Sequence, residues 1–251
     1  MKRGLNLTEQ TYERLRADLL ACRIFPGEKL NIDTLSKKMG VSLGAIREAL
    51  SRLTSEGLVT AERSKGFRAT PISAVELTDL TGVRIEIEST CLRRSLANAN
   101  VSWESKVKAA YQKLCRTPTR VATDSRRLSD TYASAHTAFH EVLVSACDSE
   151  WLLRLRRFLF TQSERYRRLA LPLSAKNRDI AAEHQEIMDA ALARDEPRTV
   201  ALMAEHVQAT TQQLLDVHLL SLDLGRSLEV TRLLATRSTS ASASASKRAM
   251  L

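Results

Sequence analysis

Four of the chain's five histidines stand in an order that can do chemistry. His136 and His140 are four residues apart, which puts both imidazoles on one face of a helix. His184 and His206 follow on two later helical stretches. Neutral imidazoles projecting from facing helices of a bundle can converge on one divalent ion. Nitrogen donors suit Zn2+, and Ni2+ fits as well. Spacing alone leaves the alternative open, because such a pair also arises as ordinary core or surface histidines. His218 has no partner in the pattern and reads as a surface residue.

Helices must hold these side chains. From Ser73 onward, apolar periodicity predicts helices over 74–98, 102–115, 124–147, 149–170, 176–194 and 196–222. Breaks fall at Asn98-Ala99-Asn100, Thr117-Pro118-Thr119, Asp148-Ser149, Leu171-Pro172 and Asp195-Glu196-Pro197, with Pro197 suited to a helix's first turn. No strand pattern interrupts them, so the expected body is an antiparallel all-α bundle and the chain is mainly α.

Ahead of the bundle, Ile32 to Val59 reads as helix, tight turn, helix. Leu35, Met39 and Val41 are apolar at that spacing, Gly40 sits where a short helix must stop, and Ser42 can cap the next one. On that second helix Ile46, Ala49, Leu50 and Leu53 form a buried stripe. Ser42, Gly44, Arg47 and Ser51 are left toward a partner. A helix-turn-helix of this kind lays its second helix in the DNA major groove. Leu58-Val59-Thr60, the turn at Ser64-Lys65-Gly66 and the return through Phe67 to Thr70 read as a two-stranded wing. Lys65 and Gly66 at its tip can approach a phosphate or the minor groove. Thr8 to Ile24 forms a preceding amphipathic helix, capped by Thr8, with Tyr12, Leu15, Leu19 and Leu20 on one face. The domain plan is therefore a winged helix-turn-helix over 1–70, a linker over 71–73 containing Pro71, a helical domain over 74–222, and a disordered Ser/Ala-rich tail over 223–251.

The 251 residues carry a net charge of +9 with a pI near 9.7, which suits an anionic partner. The excess is spread along the chain: residues 1–72 hold 13 Lys and Arg against 8 Asp and Glu, and the remainder is basic too. Charge therefore supports nucleic acid less strongly than the helix-turn-helix does. Cys22, Cys91, Cys115 and Cys147 form no C-x-x-C and read as reduced packing thiols. No apolar run is long enough to span a membrane and the first ten residues show no secretory signal, so the expected location is cytoplasmic.

The motifs PGEKL at 26–30, Leu35 with the Gly40-Val41-Ser42 turn, Ile46-Arg47-Glu48-Ala49-Leu50, Glu56-Gly57-Leu58-Val59 and Lys65-Gly66 together resemble the GntR family of winged-helix regulators over residues 8–71. One departure is Leu43, where the family usually places an arginine that contacts bases or phosphates; another is near Asp33. Leu43 can touch a thymine methyl instead. The body resembles the FCD effector domain of the FadR branch through Phe139-His140, Glu183-His184 and Glu205-His206. The resemblance implies that His140, His184 and His206 bind metal, with His136 standing where the family usually has aspartate. The His136-x3-His140 arrangement and Arg165-Tyr166-Arg167 resemble the CsiR-like subgroup. Relatives hold a small carboxylate beside the metal, and Arg84 and Arg165 are the candidate clamp.

These readings imply a DNA-binding transcription regulator, by default a repressor. It would act as a homodimer on double-stranded operator DNA, its affinity set by a small organic acid beside the ion. Direct sensing of the metal is the alternative. Metal-dependent catalysis is disfavoured: H-E-x-x-H is absent, and Glu183 and Glu205 sit about 100° round the helix from their neighbouring histidines.

Overall fold

The structure, a computed structural model, describes residues 7–170 and 178–216. The tail expected over 223–251, His218, the Leu171-Pro172 break, the first six residues and the ends of the helices expected over 176–194 and 196–222 lie outside the described residues.

The head is α1 (Leu7–Leu20), β1 (Lys29–Leu30), α2 (Ile32–Met39), α3 (Leu43–Ser55), β2 (Val59–Glu62) and β3 (Gly66–Ala69). Gly40 ends α2 in the left-handed region at φ 67°, its N–H bonded to Ser36 O at 2.9 Å. Ser42 caps α3 by accepting from Ala45 N at 3.2 Å. Ile46, Ala49, Leu50 and Leu53 are completely buried against Tyr12, Leu15 and Leu19 of α1 and Leu58. Burial of each large side chain among them stabilises the head by roughly 1.5–3 kcal/mol. Two local expectations change. The wing is a three-stranded antiparallel sheet, ordered β1-β3-β2, because Lys29 and Leu30 pair with Arg68 and Phe67. The first helix begins at Leu7 and ends at Leu20, where Cys22 turns the chain at φ 52°.

The body is α4 (Ala74–Asn98), α5 (Val101–Arg116), β4 (Arg120–Val121), β5 (Asp124–Leu128), α6 (Asp130–Leu143), α7 (Glu150–Ala170), α8 (Ile180–Leu192) and α9 (Glu196–Asp216). α4 packs along α7 and α9, while α6 lies on α5 and α8 on α9. The helix expected over 124–147 is corrected. Residues 120–128 form an antiparallel hairpin, Ser129 caps α6 through Tyr132 N, and the helix stops at Leu143. Buried Ser95 fixes that stop, donating to Leu143 O at 2.8 Å and accepting from Ala146 N at 3.2 Å. No described helix is long and apolar enough to cross a membrane.

Candidate functional site

α6 delivers His136 and His140, α8 delivers His184 and α9 delivers His206. All four are nearly inaccessible, at 3, 0, 1 and 6% exposure. One ring nitrogen from each lies within 4.8 Å of all the others. His136 Nε2 and His140 Nε2 are 3.2 Å apart. Two nitrogens on a tetrahedral Zn2+ with bonds of about 2.0–2.1 Å sit about 3.4 Å apart, so this pair already has the ligand spacing. The full spread is somewhat wider than that edge, so one ring must turn to close such a shell. Phe139 and Phe160 pack on the cluster, Phe160 with its centroid 6.4 Å from His136 and 6.0 Å from His140.

Burial first, then the positive charges and imidazoles around them, holds His136, His140 and His184 well below the ordinary 6.5. They are therefore neutral near pH 7 and offer lone pairs. Burial also lowers His206, though its bond to Glu183 works the other way. His136 Nδ1, His140 Nδ1 and His184 Nε2 are buried without a hydrogen-bond partner. An orphaned buried polar group costs about 1–3 kcal/mol, so His184 Nε2 is a nitrogen for which a bound ion would remove a cost, whereas His136 and His140 face each other through Nε2 and keep their unpartnered Nδ1 atoms on the far side of that pair. The donor set fits a borderline divalent ion.

Glu183 faces the back of one imidazole rather than the centre. His206 Nδ1 donates to Glu183 Oε2 at 2.7 Å, which leaves His206 Nε2 as the lone-pair nitrogen. Arg178 donates to both oxygens of Glu183 at 2.6 Å and to His206 O at 2.9 Å. Burial opposes ionisation of Glu183, but the bonds from His206 and Arg178 win and hold its carboxyl down at about 2. A cavity of about 20 Å3 beside the cluster is lined by Tyr132, His136, Arg167, Arg178 and His206, among others. Spacing could not reveal Arg178 or Arg167 as members of this site. Arg178 precedes its helix with no periodic signal.

The two expected clamp residues fare differently. Arg84 stays nearby: its guanidinium lies over Phe160 at 4.8 Å, donates to Ser163 Oγ at 2.9 Å, and adds to the positive charge felt by His140 and His206. Arg165 is engaged with the head: it donates to Thr70 O at 2.7 Å, at the end of the wing, and to Gln162 Oε1 at 3.2 Å. Residues two apart on a helix point about 200° apart, so Arg165 and Arg167 cannot serve the same face, and Arg167 is the one at the cavity. Arg156 adds a further cation close by, donating to His140 O at 2.9 Å and to Glu88 at 2.9 Å.

On the head, Ser42, Leu43, Gly44, Arg47 and Ser51 are exposed along one side of α3, and Lys65 and Gly66 are exposed at the wing tip. Arg52 and Arg68 are occupied internally, by Glu9 and by Glu62 with Gly27 O.

Residues 7–68 match the bacterial regulatory proteins of the gntR family and residues 79–209 match the FCD domain. The chain is 38% identical over 205 residues to BphR of Paraburkholderia xenovorans (strain LB400), an uncharacterized HTH-type transcriptional regulator, covering 82% of this chain and 84% of that one. It is 32% identical over 200 residues to the HTH-type transcriptional repressor GlaR of Escherichia coli (strain K12), covering 78% and 90%. In fold it is similar to E. coli McbR/YncC, with a TM-score of 0.68, 19% identity and coverage of 86% and 100%. It is also similar to a GntR transcriptional regulator from Rhodococcus sp. RHA1, with a TM-score of 0.64, 20% identity and coverage of 83% and 97%. The chain belongs to the GntR family and is a DNA-binding transcriptional regulator, a winged helix-turn-helix head joined to an FCD domain.

Proposed function

We propose that this regulator is a cytoplasmic repressor whose hold on its operator is set by a small organic acid bound beside a divalent ion, Zn2+ ahead of Ni2+. The observation that carries this reading is the set of four buried imidazoles with ring nitrogens within 4.8 Å of one another. His136, His140, His184 and His206 hold the ion, and Glu183 fixes the tautomer of His206. When bound, the ion supplies a Lewis-acidic position for a carboxylate oxygen. Arg178 and Arg167 supply the fixed positive charge that a carboxylate requires, with Tyr132 beside them. Arg84 contributes charge from behind Phe160. The repressor sense follows GlaR, a relative that is named a repressor.

The DNA contacts in this reading are Ser42, Leu43, Gly44, Arg47 and Ser51 in the major groove, with Lys65 and Gly66 at the flanking backbone. Two heads in successive grooves require a homodimer. Trp151, Leu155 and Phe158 support one: they recur at helical spacing on α7 and are 73, 48 and 48% exposed.

Direct sensing of the ion is the second reading, and one observation favours it. The cavity beside the histidines, about 20 Å3, has room for a water-sized guest, so an organic acid enters only if Arg178 or Tyr132 moves. The test begins with chelator-stripped protein and an operator duplex obtained by selection with the purified chain. Operator affinity is then measured with Zn2+ alone, and with Zn2+ plus a panel of small organic acids. A response to an acid only in the presence of Zn2+ supports the first reading, and a Zn2+ effect with no acid effect supports the second. No Zn2+ binding sinks both.

A further inference from the structure

We propose that one turn of α7, Gln162 to Tyr166, is the device that couples the histidine centre to the DNA-reading head. The inference rests on the metal reading of that centre.

Three separate ends of the head converge on this turn. Gln162 Nε2 donates to Glu56 O, the C-cap residue of α3. Arg165 Nη1 donates to Thr70 O at 2.7 Å, just past β3, and its Nη2 braces Gln162 Oε1 at 3.2 Å. The Cys22 thiol, where the chain leaves α1, donates to Arg165 O at 3.5 Å. The recognition helix, the wing and the first helix are thus all held by two residues one turn apart, Gln162 and Arg165, through their side chains and the Arg165 carbonyl. The fit is close: a Cβ on Gly57, which sits at φ +71°, would lie 3.1 Å from Gln162 Nε2. Arg165 and Gln162 are 2 and 7% exposed, so these bonds are shielded from water.

The same helix touches the histidines on both sides of that turn. Before it, Arg156 holds His140 O and Phe160 packs on His136 and His140. After it, Arg167 lines the cavity beside His136 and is tied to Glu164 at 2.6 Å. A rotation or slide of α7 that repacks Phe160 or Arg167 must therefore also move Gln162 and Arg165, since a helix carries such displacements as a rigid element. The head has room to follow. Alongside the α1–α7 contact, a cleft of about 500 Å3 lies between α1, α6 and α7, lined by Glu13, Arg16, Thr137, Glu141 and Arg157, among others. The Arg23–Asp130 pair that crosses elsewhere is solvent-exposed and holds weakly.

The test uses the full chain, with Zn2+ alone as the probe. Gln162→Leu removes the bond to Glu56 O with little change of volume; Arg165→Met removes the one to Thr70 O. Zn2+ binding is measured by calorimetry, and hydrogen exchange is followed over residues 56–72 with and without Zn2+. Wild type should show a Zn2+-dependent change of about fivefold or more in exchange there, the lower end of ordinary coupling. Gln162→Leu should abolish that difference while Zn2+ affinity stays within about twofold, as expected for a distant substitution. A merely structural seam would raise exchange equally in both states and keep the difference. The coupling is overturned if wild type binds Zn2+ with no change over 56–72, or if the difference survives in both variants. Failure of wild type to bind Zn2+ is a separate result, which overturns the metal reading and the coupling with it.

Discussion

Each of the four buried histidines keeps its lone pair because protonation would put a charge where water cannot reach it. The sign of the pH effect follows. In the folded chain His136, His140, His184 and His206 all titrate below their ordinary 6.5, so on acidification the unfolded chain takes up protons first. Their contribution to stability is whole above about 6.5 and drains as pH falls below it. The melting temperature of metal-free protein should therefore fall steadily between about pH 7 and pH 5, and a His136→Gln/His140→Gln chain should show a shallower slope. An equal slope in the two would mean that other groups carry the acid sensitivity. Glu183 gives a second prediction. Replacing a carboxylate that orients a ligand imidazole weakens metal binding by about 10–100-fold, so Glu183→Gln should lower Zn2+ affinity by that amount in calorimetry. Unchanged affinity would leave Glu183 as no more than the partner of Arg178. At this scale the sequence was half legible. The four-residue spacing of His136 and His140 announces a shared face whatever the fold. The choice among arginines depended on which side of α7 faces which domain, a fact of tertiary packing that put Arg167 at the cavity and Arg165 against the wing.

Elements are legible where their ends are marked. Ser73 and Asn98 bound α4 at the residues expected, because a serine cap and an Asn-Ala-Asn break leave little choice. Residues 120–128 gave no such mark. Their strands are short and polar, with Arg120, Asp124, Arg126 and Arg127 among them, so the alternation that betrays a half-buried strand is absent and the segment reads as a helix lead-in. The pairing of β1 with β3 was hidden for a related reason, since two residues are too few to show a period. α7 carries the sharpest element-scale prediction. Arg156 and Glu88 form an ion pair between α7 and α4 with side chains 3 and 1% exposed; both Arg156 contacts fall on Glu88 Oε1, and the buried Oε2 has no hydrogen-bond partner. Arg156→Met would leave buried Glu88 without its hydrogen-bonded cation, with only the charge of Arg84 near it, a loss of about 3–5 kcal/mol, whereas Arg156→Met/Glu88→Leu should recover most of it. Chemical denaturation of the three chains measures this, and equal stability of the single and double variants would show that the pair is not electrostatically coupled.

For the molecule as a whole, two facts have to be reconciled: one head presents one recognition helix, and one face of α7 presents apolar surface to water. The proposed homodimer would answer both. Trp151, Leu155 and Phe158 lie on α7, the helix that also carries Gln162 and Arg165, so a second copy seated on that stripe would set the spacing of two heads through the same element that holds each of them. The stripe's exposure could not be read from sequence, because an apolar helical face looks the same whether it meets the chain's own core or another copy. Substituting Leu155→Glu/Phe158→Glu puts like charges on both sides of such a contact without touching the histidines or the head. If the proposed dimer forms through this stripe, sedimentation should show the parent as a dimer and the doubly charged chain as a monomer. Zn2+ affinity should be retained, and affinity for a two-site operator should fall by about 10²–10⁴ as the second head's binding ceases to be intramolecular. If the doubly charged chain sediments as the parent does and keeps its operator affinity, the stripe is not the dimer contact, and the pairing surface has to be sought on another face of the body.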